Sequence, residues 1–232
     1  MRSVRSFLFL LILSLTLSAC APVGAAETTA PAPQTDFLGS VCFLGDSTTA
    51  HMQQRSALRA DQVWATGERY LNLDPRITYA RIVAPDTGAE EEIPTVAGRL
   101  RPAYLVITLG VDYGAYYYRD QPETFRFYYE KLLFALKEAS PDTVYILQSI
   151  FPVGRGSTAI TNLMVDKANT VIRAIARDHG LYYLDQKPIL SDEEGYLKEE
   201  FCYSDDGIHL SASAYDAILQ NLAAREKEIV GG

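Results

Sequence analysis

Hydrophobic and polar residues alternate along the chain in blocks that predict strands followed by helices. Near-continuous apolar runs, typical of strands buried on both faces of a parallel sheet, occur at 104–109 and 144–147. The strand candidates are 41–45, 77–83, 103–109, 142–149 and 181–185. Because strands and helical segments alternate, the pattern predicts one doubly wound α/β domain whose parallel sheet is covered by helices on both faces.

Apolar residues that recur every three or four positions predict amphipathic helices between these strands. The apolar faces are Phe125, Tyr128, Tyr129, Leu132, Leu133 and Leu136 in one helix, Met164, Ala168, Val171, Ile172 and Ile175 in a second, and Ala214, Tyr215, Ile218, Leu219 and Leu222 in a third. Pro141 ends the first helix and Gly180 the second, and either Ser211 or Ser213 caps the third.

The N-terminal residues predict a targeting segment that takes no part in the fold. Arg2 and Arg5 precede an apolar stretch at 7–17, which is too short for an ordinary membrane span. The following Leu17-Ser18-Ala19-Cys20 resembles a bacterial lipobox, whose cysteine becomes the lipidated first residue. A plain secretory signal that happens to contain a cysteine is the alternative.

These features divide the chain into a lipoprotein signal peptide at 1–19, a lipidated Cys20 with a flexible tether at 20–36, and a domain at 37–232. The tether is rich in proline and has no apolar period, which is typical of extended linkers. Lipobox processing adds at least two acyl chains, enough for stable anchoring. We therefore expect the domain outside the cytoplasm, attached to the bacterial membrane through Cys20.

Charge and cysteine content narrow the possible partners. Removal of 1–19 leaves 19 of the 21 basic residues against 29 acidic ones, so the formal net charge changes from −8 to −10. An acidic protein does not attract nucleic acid, whereas a neutral, sugar-like substrate stays compatible. Cys42 and Cys202 are the cysteines that follow Cys20, and no spacing of cysteine and histidine indicates a metal site. We expect neither nucleic acid nor a metal or other cofactor.

Three side chains form a candidate set for nucleophilic catalysis. Ser47 follows the first strand in a Gly45-Asp46-Ser47 turn, in which Asp46 is expected to fix the turn. A serine is a weak nucleophile until a base removes its proton. His209 can be that base, and Asp206, three residues earlier, can orient its imidazole. The alternative for Ser47 is that it merely caps the helix that follows.

The candidate residues converge on one edge of the predicted sheet. Ser47 follows the first strand, Asp112 follows the strand at 103–109, and His209 precedes the last helix. In open parallel sheets, ligands bind at the carboxyl ends of the strands. The sequence therefore predicts an active site at this edge.

The Gly45-Asp46-Ser47 block and the Asp206-x-x-His209 block resemble those of the SGNH (GDSL-type) hydrolases, esterases and acyl hydrolases with a flavodoxin-like fold. The resemblance extends over roughly residues 40–225. It implies a single three-layer domain with a mainly parallel five-stranded sheet. It also implies that Ser47, Asp206 and His209 are catalytic.

The same resemblance implies an oxyanion hole with one unusual member. Its donors would be the Ser47 N–H, the N–H of Gly67, with Gly88 as the alternative glycine, and residue 112. The family has asparagine where this chain has Asp112, and an ionised carboxylate cannot donate a hydrogen bond. Loss of one donor lowers turnover by about 10²–10³. Asp112 could stay protonated, turn outward, or mark a protein that has lost hydrolysis.

Tyrosines beside Asp112 are candidates for substrate contact. Tyr113 and Tyr116 fall in the loop after the 103–109 strand, where they could stack on sugar rings or hold an acyl chain; simple loop packing is the alternative. The resulting hypothesis is a cell-surface serine esterase that removes small O-acyl groups, chiefly O-acetyl, from carbohydrate. A non-hydrolytic glycan-binding protein and an acyltransferase to sugar hydroxyls are the alternatives. The oligomeric state stays open.

Overall fold

The computed structural model describes residues 36–65 and 71–231 of the 232-residue chain. All of them belong to one compact unit. The expected signal peptide, Cys20 and nearly all of the expected tether lie outside the described residues, and so does Gly67. Among the residues that are described, no helix is long and apolar enough to cross a membrane.

A five-stranded parallel sheet forms the centre of the fold. The strands in chain order are β1 (Val41–Gly45), β2 (Val63–Trp64), β3 (Arg81–Val83), β4 (Glu90–Glu92), β5 (Tyr104–Thr108), β6 (Val144–Gln148) and β7 (Tyr182–Leu184). The central sheet has the order β2-β1-β5-β6-β7, and every pair in it is parallel. Counted along the chain, this is the flavodoxin-like order 2-1-3-4-5, which confirms the predicted fold class.

The strand predicted at 77–83 is wrong as a member of this sheet. Its first part, Ile77–Tyr79, is a 3₁₀ turn, and β3 pairs antiparallel with β4 in a separate two-stranded ribbon. In β3, Ile82 is buried, whereas Arg81 and Val83 are exposed. The fifth strand of the central sheet is β2, which is too short for any periodicity to reveal it.

Nine helices lie within the described residues: α1 (Asp36–Gly39), α2 (Ser47–Ala50), α3 (Met52–Arg55), α4 (Ile93–Leu100), α5 (Pro122–Ala139), α6 (Asn162–Asp178), α7 (Lys187–Leu190), α8 (Ala212–Ala224) and α9 (Glu226–Val230). The three predicted helices are α5, α6 and α8. Ser211 is the cap of α8, since its hydroxyl accepts the Ala214 N–H at 3.4 Å. A π-helix occupies Val111–Tyr116, directly after β5.

Side chains of the central strands alternate between two apolar layers. In β5, Leu105 and Ile107 pack in one layer with residues of α4, α5 and α6, whereas Val106 packs in the other with residues of α1 and α8. The same alternation holds in β6, where Ile146 faces the α8 side. These strands are thus buried on both faces, as their continuous apolar runs predict.

Candidate active site

Ser47 begins α2 immediately after β1, at the carboxyl edge of the sheet. The chain can turn there because Gly45 has no side chain: a Cβ at this position would collide with the Thr49 hydroxyl and the Thr108 carbonyl oxygen. β1 and β5 are neighbours at the point where the strand order reverses. In this fold, that switch point is where a ligand crevice forms.

Asp46 fixes the turn that presents Ser47. Its carboxylate is buried and accepts hydrogen bonds from the Thr48 N–H at 3.1 Å and the Thr48 hydroxyl at 2.8 Å. Burial raises the pKa of Asp46, and the bonds from Thr48 oppose that shift. This is the geometry of a helix N-cap. Tyr215 of α8 also donates to the Thr48 carbonyl at 2.6 Å, which ties the turn to the core.

Asp206 and His209 lie in a hairpin that leads into α8. We call residues 202–210 the histidine hairpin. A bridge pairs Cys202 with Leu210, and the Tyr203 N–H donates to the His209 carbonyl at 2.8 Å. At its tip Gly207 has a φ of 66°, and a Cβ there would lie 2.7 Å from the Ser157 nitrogen. Only glycine suits this close approach.

The structure brings Asp206 and His209 into direct contact. Asp206 Oδ2 lies 2.6 Å from His209 Nδ1, and Asp206 Oδ1 accepts the backbone N–H groups of Ile208 at 2.7 Å and His209 at 3.0 Å. Burial favours the protonated acid, but the bonds from the His209 ring and these N–H groups outweigh it and hold the pKa of Asp206 well below its usual range. The ionised carboxylate selects the tautomer with Nδ1–H, which leaves Nε2 as a proton acceptor.

His51 connects the serine helix to this pair. Its ring packs edge-on against the His209 ring, with 4.8 Å between centroids and 66° between planes. The His51 N–H donates to the Ser47 carbonyl at 3.1 Å, so Ser47 lies one helical turn away on the same face. Sequence reasoning gave His51 no role; its spacing of four residues from Ser47 was the available signal.

The two glycine candidates for the oxyanion hole have different outcomes. Gly88 lies in the exposed turn between β3 and β4, and its N–H donates to the Ala84 carbonyl at 2.8 Å. A donor that is already engaged in a turn is not free for an oxyanion. Gly67 falls outside the described residues and stays a prediction.

Asp112 is the second residue of the π-helix, a distortion that often marks functional sites. Gly110 precedes it with a φ of 122°, and a Cβ there would lie 2.9 Å from the Phe125 ring. The Asp112 side chain is exposed. The pKa of Asp112 is raised, because the effect of partial burial exceeds the opposing effect of the nearby His209. Because water reaches the Asp112 side chain, it is not the deeply buried acid that low dielectric would keep protonated as a donor.

The predicted substrate-contacting tyrosines belong to the same π-helix. Tyr113 is half-buried, with its ring centroid 4.9 Å from that of Tyr117, and Tyr116 is exposed and packs 5.2 Å from Tyr117. By contrast, Phe125 and Tyr129 are buried in the core, as predicted. Tyr113 and Tyr116 thus lie beside Asp112 with ring surface available to a ligand.

The described residues contain no group of three or more histidine, cysteine, aspartate or glutamate side chains placed to hold a metal. Cys42 and Cys202 are free thiols. Burial raises the pKa of Cys42 to about 11, so this thiol packs as an apolar group and is not a nucleophile at neutral pH.

Comparison with known proteins bears on the family and the fold. The model of the GDSL-like lipase/acylhydrolase family matches residues 43–217. No curated protein matches the chain.

Among solved structures, a protein from Streptococcus pneumonia named for platelet activating factor is 17% identical, with a TM-score of 0.57, and the match covers 85% of this chain and 86% of that one. A peptidoglycan O-acetylesterase is 11% identical, with a TM-score of 0.50 and coverage of 60% and 41%. A GDSL-like lipase from Bacteroides thetaiotaomicron is 20% identical, with a TM-score of 0.45; the match covers 56% of this chain and only 64% of that protein's length. At these identities the likeness concerns the fold.

Proposed function

Because the chain belongs to the GDSL-like lipase/acylhydrolase family, we propose that it is a serine esterase that removes small O-acyl groups through an acyl-enzyme on Ser47. The observation that supports this most is the Asp206–His209 bond of 2.6 Å, formed in a hairpin that packs against the helix of Ser47. The acid and the base belong to one hairpin, and that hairpin lies against His51 at the end of the helix that begins with the nucleophile.

In the first half-reaction, His209 Nε2 accepts the proton of Ser47 as its Oγ attacks the acyl carbon. The ester C–O bond breaks, and the leaving alcohol takes that proton from His209. Water then attacks the Ser47 ester in the same manner, His209 accepts a proton from it, and the carboxylic acid leaves as the proton returns to Ser47. Asp206, ionised over the working pH range, stabilises the imidazolium in both steps.

The negative oxygen of each tetrahedral intermediate needs donors. The Ser47 N–H at the start of α2 is one, and we propose the Gly67 N–H as the second. Asp112 has an exposed side chain and is the weak member of this hole. We propose that it turns outward and leaves a two-donor site of lower turnover than one with an asparagine donor.

The substrate we propose is an O-acetyl group on a neutral carbohydrate. Tyr113 and Tyr116 offer ring faces beside the site, a common means of holding sugars. The acidic balance of the chain disfavours anionic polymers. One of the similar structures is, by its name, a peptidoglycan O-acetylesterase, although the likeness at 11% identity concerns the fold.

The location we propose is the outer face of a bacterial membrane, with Cys20 carrying the lipid and the following residues acting as the tether. The support is the lipobox-like Leu17-Ser18-Ala19-Cys20. Labelling of growing cells with an alkyne fatty acid tests it. Label on the wild type but not on a Cys20→Ser variant is the expected result, and equal labelling contradicts it.

The activity is tested with p-nitrophenyl acetate and a chain that starts at Gln34. Ser47→Ala should lower turnover to background, because no other group forms the acyl-enzyme. Ser40→Ala is the matched control: Ser40 precedes β1 at the opposite edge of the sheet, where its hydroxyl donates to the Phe37 carbonyl. Equal activity of Ser47→Ala and wild type would contradict the proposal.

The exposed Asp112 carboxylate favours one alternative, a glycan-binding protein without hydrolysis. Calorimetry with acetylated and deacetylated oligosaccharides separates the two functions. Heat of binding for the acetylated form, with no release of acetate over hours, would favour the binding protein. Release of acetate that depends on Ser47 favours the esterase.

A further inference from the structure

The helical segment after β1 extends beyond the proposed nucleophile along a single face. The Arg55 N–H donates to the His51 carbonyl at 3.1 Å, just as the His51 N–H donates to the Ser47 carbonyl. Residues four apart along such a path lie above one another. Ser47, His51 and Arg55 therefore form one row across α2 and α3.

The end of this row contacts both arms of the histidine hairpin. Arg55 Nη1 donates to the Leu210 carbonyl at 3.1 Å, and the guanidinium carbon lies 3.4 Å from the centroid of the Tyr203 ring. Leu210 follows the proposed base and Tyr203 precedes the proposed acid. Arg55 is only half-exposed, so this contact loses part of its solvent screening.

The middle of the row contacts the base itself. His51 packs on the ring of His209, and its Nδ1 is buried with no hydrogen-bond partner in the described structure. The charged or titratable groups that face His51 are Arg55, His209 and Asp206. A ring held by packing and not by hydrogen bonds is suited to fix an orientation.

The tip of the hairpin is held by the Gly154 N–H, which donates to the Gly207 carbonyl at 2.7 Å, but this bond does not set the His209 ring relative to Ser47. The Asp206–His209 bond is local, three residues apart, and it sets the imidazole relative to the hairpin but not relative to Ser47. The hairpin is largely exposed, with side-chain exposure of 40% for Asp206 and residue exposure of 60% for Tyr203. A displacement of about 1 Å between catalytic groups can lower turnover by about 10²-fold.

We propose that His51 and Arg55 are positioning residues, which dock the histidine hairpin on the helical face that begins at Ser47 and so hold the His209 ring towards the nucleophile. This inference rests on the proposed esterase function for its catalytic part. The docking part stands on contacts alone and is measurable without substrate.

The first experiment compares Arg55→Ala with Arg59→Ala. Arg59 is the matched control, because it forms an ion pair with Asp61 and donates to the Gly39 carbonyl, away from the hairpin. For Arg55→Ala we expect kcat on p-nitrophenyl acetate to fall about tenfold or more with KM within about twofold, since docking and not ester binding is lost. Arg55→Lys, which keeps the cation, should recover part of the loss.

The second experiment separates ring packing from the imidazole nitrogens at residue 51. His51→Phe retains an aromatic edge against His209 and should keep kcat within about threefold, whereas His51→Ala should lower it about tenfold, again with little change in KM. Equal loss in both variants would mean that a nitrogen of His51 acts directly, which contradicts a packing role.

Hydrogen–deuterium exchange of residues 203–209 reports docking independently of activity. In Arg55→Ala and His51→Ala, these amides should exchange faster than in the wild type while those of β5 and β6 stay unchanged. Unchanged exchange in the hairpin overturns the docking. Faster exchange at wild-type kcat overturns the positioning role. If the wild type shows no Ser47-dependent hydrolysis, the esterase proposal fails, and the exchange result still decides whether His51 and Arg55 dock the hairpin.

Discussion

At the scale of single residues, Asp112 limits the proposed chemistry. It is exposed and lies two residues after Gly110, whose φ is 122°; partial burial raises its pKa, and the nearby His209 offsets part of that rise. An ionised carboxylate is repelled by the charge that develops on the oxyanion, so it turns outward and donates nothing, whereas an amide at the same position could turn inward and donate. The same residue distinguishes an efficient esterase from a slow one.

We expect Asp112→Asn to raise kcat on p-nitrophenyl acetate by about tenfold or more, because it removes a negative charge and adds a donor. Steady-state kinetics measures the change. Asp120→Asn is the control, since Asp120 is an exposed acid eight residues along that pairs with Arg119. A fall in kcat for Asp112→Asn would instead assign the carboxylate a useful role beside His209.

His51 makes the stability of the protein depend on pH. Burial first, then Arg55 and His209, lower the pKa of His51, while Asp206 opposes them. Well above pH 6.5, the pKa of a histidine in the unfolded chain, the residue is neutral in both states and has no effect. As the pH falls towards the lowered pKa, the unfolded chain binds the proton first, so the free energy of unfolding decreases.

A His51→Phe variant should therefore lose less stability than the wild type between about pH 7.5 and about pH 5. Urea unfolding at both pH values measures this, and the difference between the two proteins cancels the contributions of titrating groups that do not face residue 51. An identical decrease in both proteins would show that His51 does not carry the effect.

The residues that the sequence could identify were those whose chemistry is local. Asp206 and His209 are three residues apart, and their direct bond follows from that spacing. The roles of His51 and Arg55 depend on contacts with residues about 150 positions away, such as the bond from Arg55 to Leu210. No sequence pattern within either segment predicts a contact between residues so far apart in the chain.

At the scale of elements, the junction between β1 and α2 decides whether Ser47 is presented at all. A Cβ on Gly45 would collide with the Thr108 backbone oxygen of the neighbouring strand, which cannot move without breaking the pairing of β1 with β5. The turn is thus specified by the close approach of two strands and by the Asp46 cap.

Gly45→Ala should lower the free energy of unfolding by about 3 kcal/mol, the upper end of the usual range for overpacking, and should also abolish Ser47-dependent turnover. Chemical denaturation and p-nitrophenyl acetate kinetics measure the two effects. Gly39→Ala is the control, because the nearest atom to its Cβ would be 3.9 Å away; a stability change within about 0.5 kcal/mol is expected. Similar behaviour of both variants would contradict a steric constraint at Gly45.

Element prediction from the sequence succeeded where burial is regular. The continuous apolar runs predicted β5 and β6, and the apolar stripes predicted α5, α6 and α8. The fifth strand of the central sheet is β2, and not the predicted 77–83 segment, for two reasons that concern the sequence pattern. β2 has only two residues, which are too few to show a strand periodicity. In the 77–83 segment, the buried Ile82 lies between two exposed residues, a pattern that correctly indicates a half-buried strand but does not tell which sheet it joins.

Across the molecule as a whole, the fold places the candidate active site at the carboxyl edge of the sheet, and the negative charge of the chain affects which esters bind there. The switch point between β1 and β5 places the segments of Ser47 and Asp112 side by side, and the histidine hairpin leads directly into α8. Asp112 and Asp206 then give the site a negative character that matches the charge of the chain as a whole.

A negative site on an acidic chain should discriminate among esters by charge. For an anionic ester such as p-nitrophenyl hemisuccinate, kcat/KM should rise about threefold when salt increases from about 10 mM to about 150 mM, because the Debye length shortens from about 30 Å to about 8 Å and repulsion weakens. For neutral p-nitrophenyl acetate, kcat/KM should stay constant. Asp112→Asn should reduce the salt response of the anionic ester. If kcat/KM for the anionic ester instead decreased with salt, the site would attract anions, and a neutral carbohydrate would no longer be the favoured substrate.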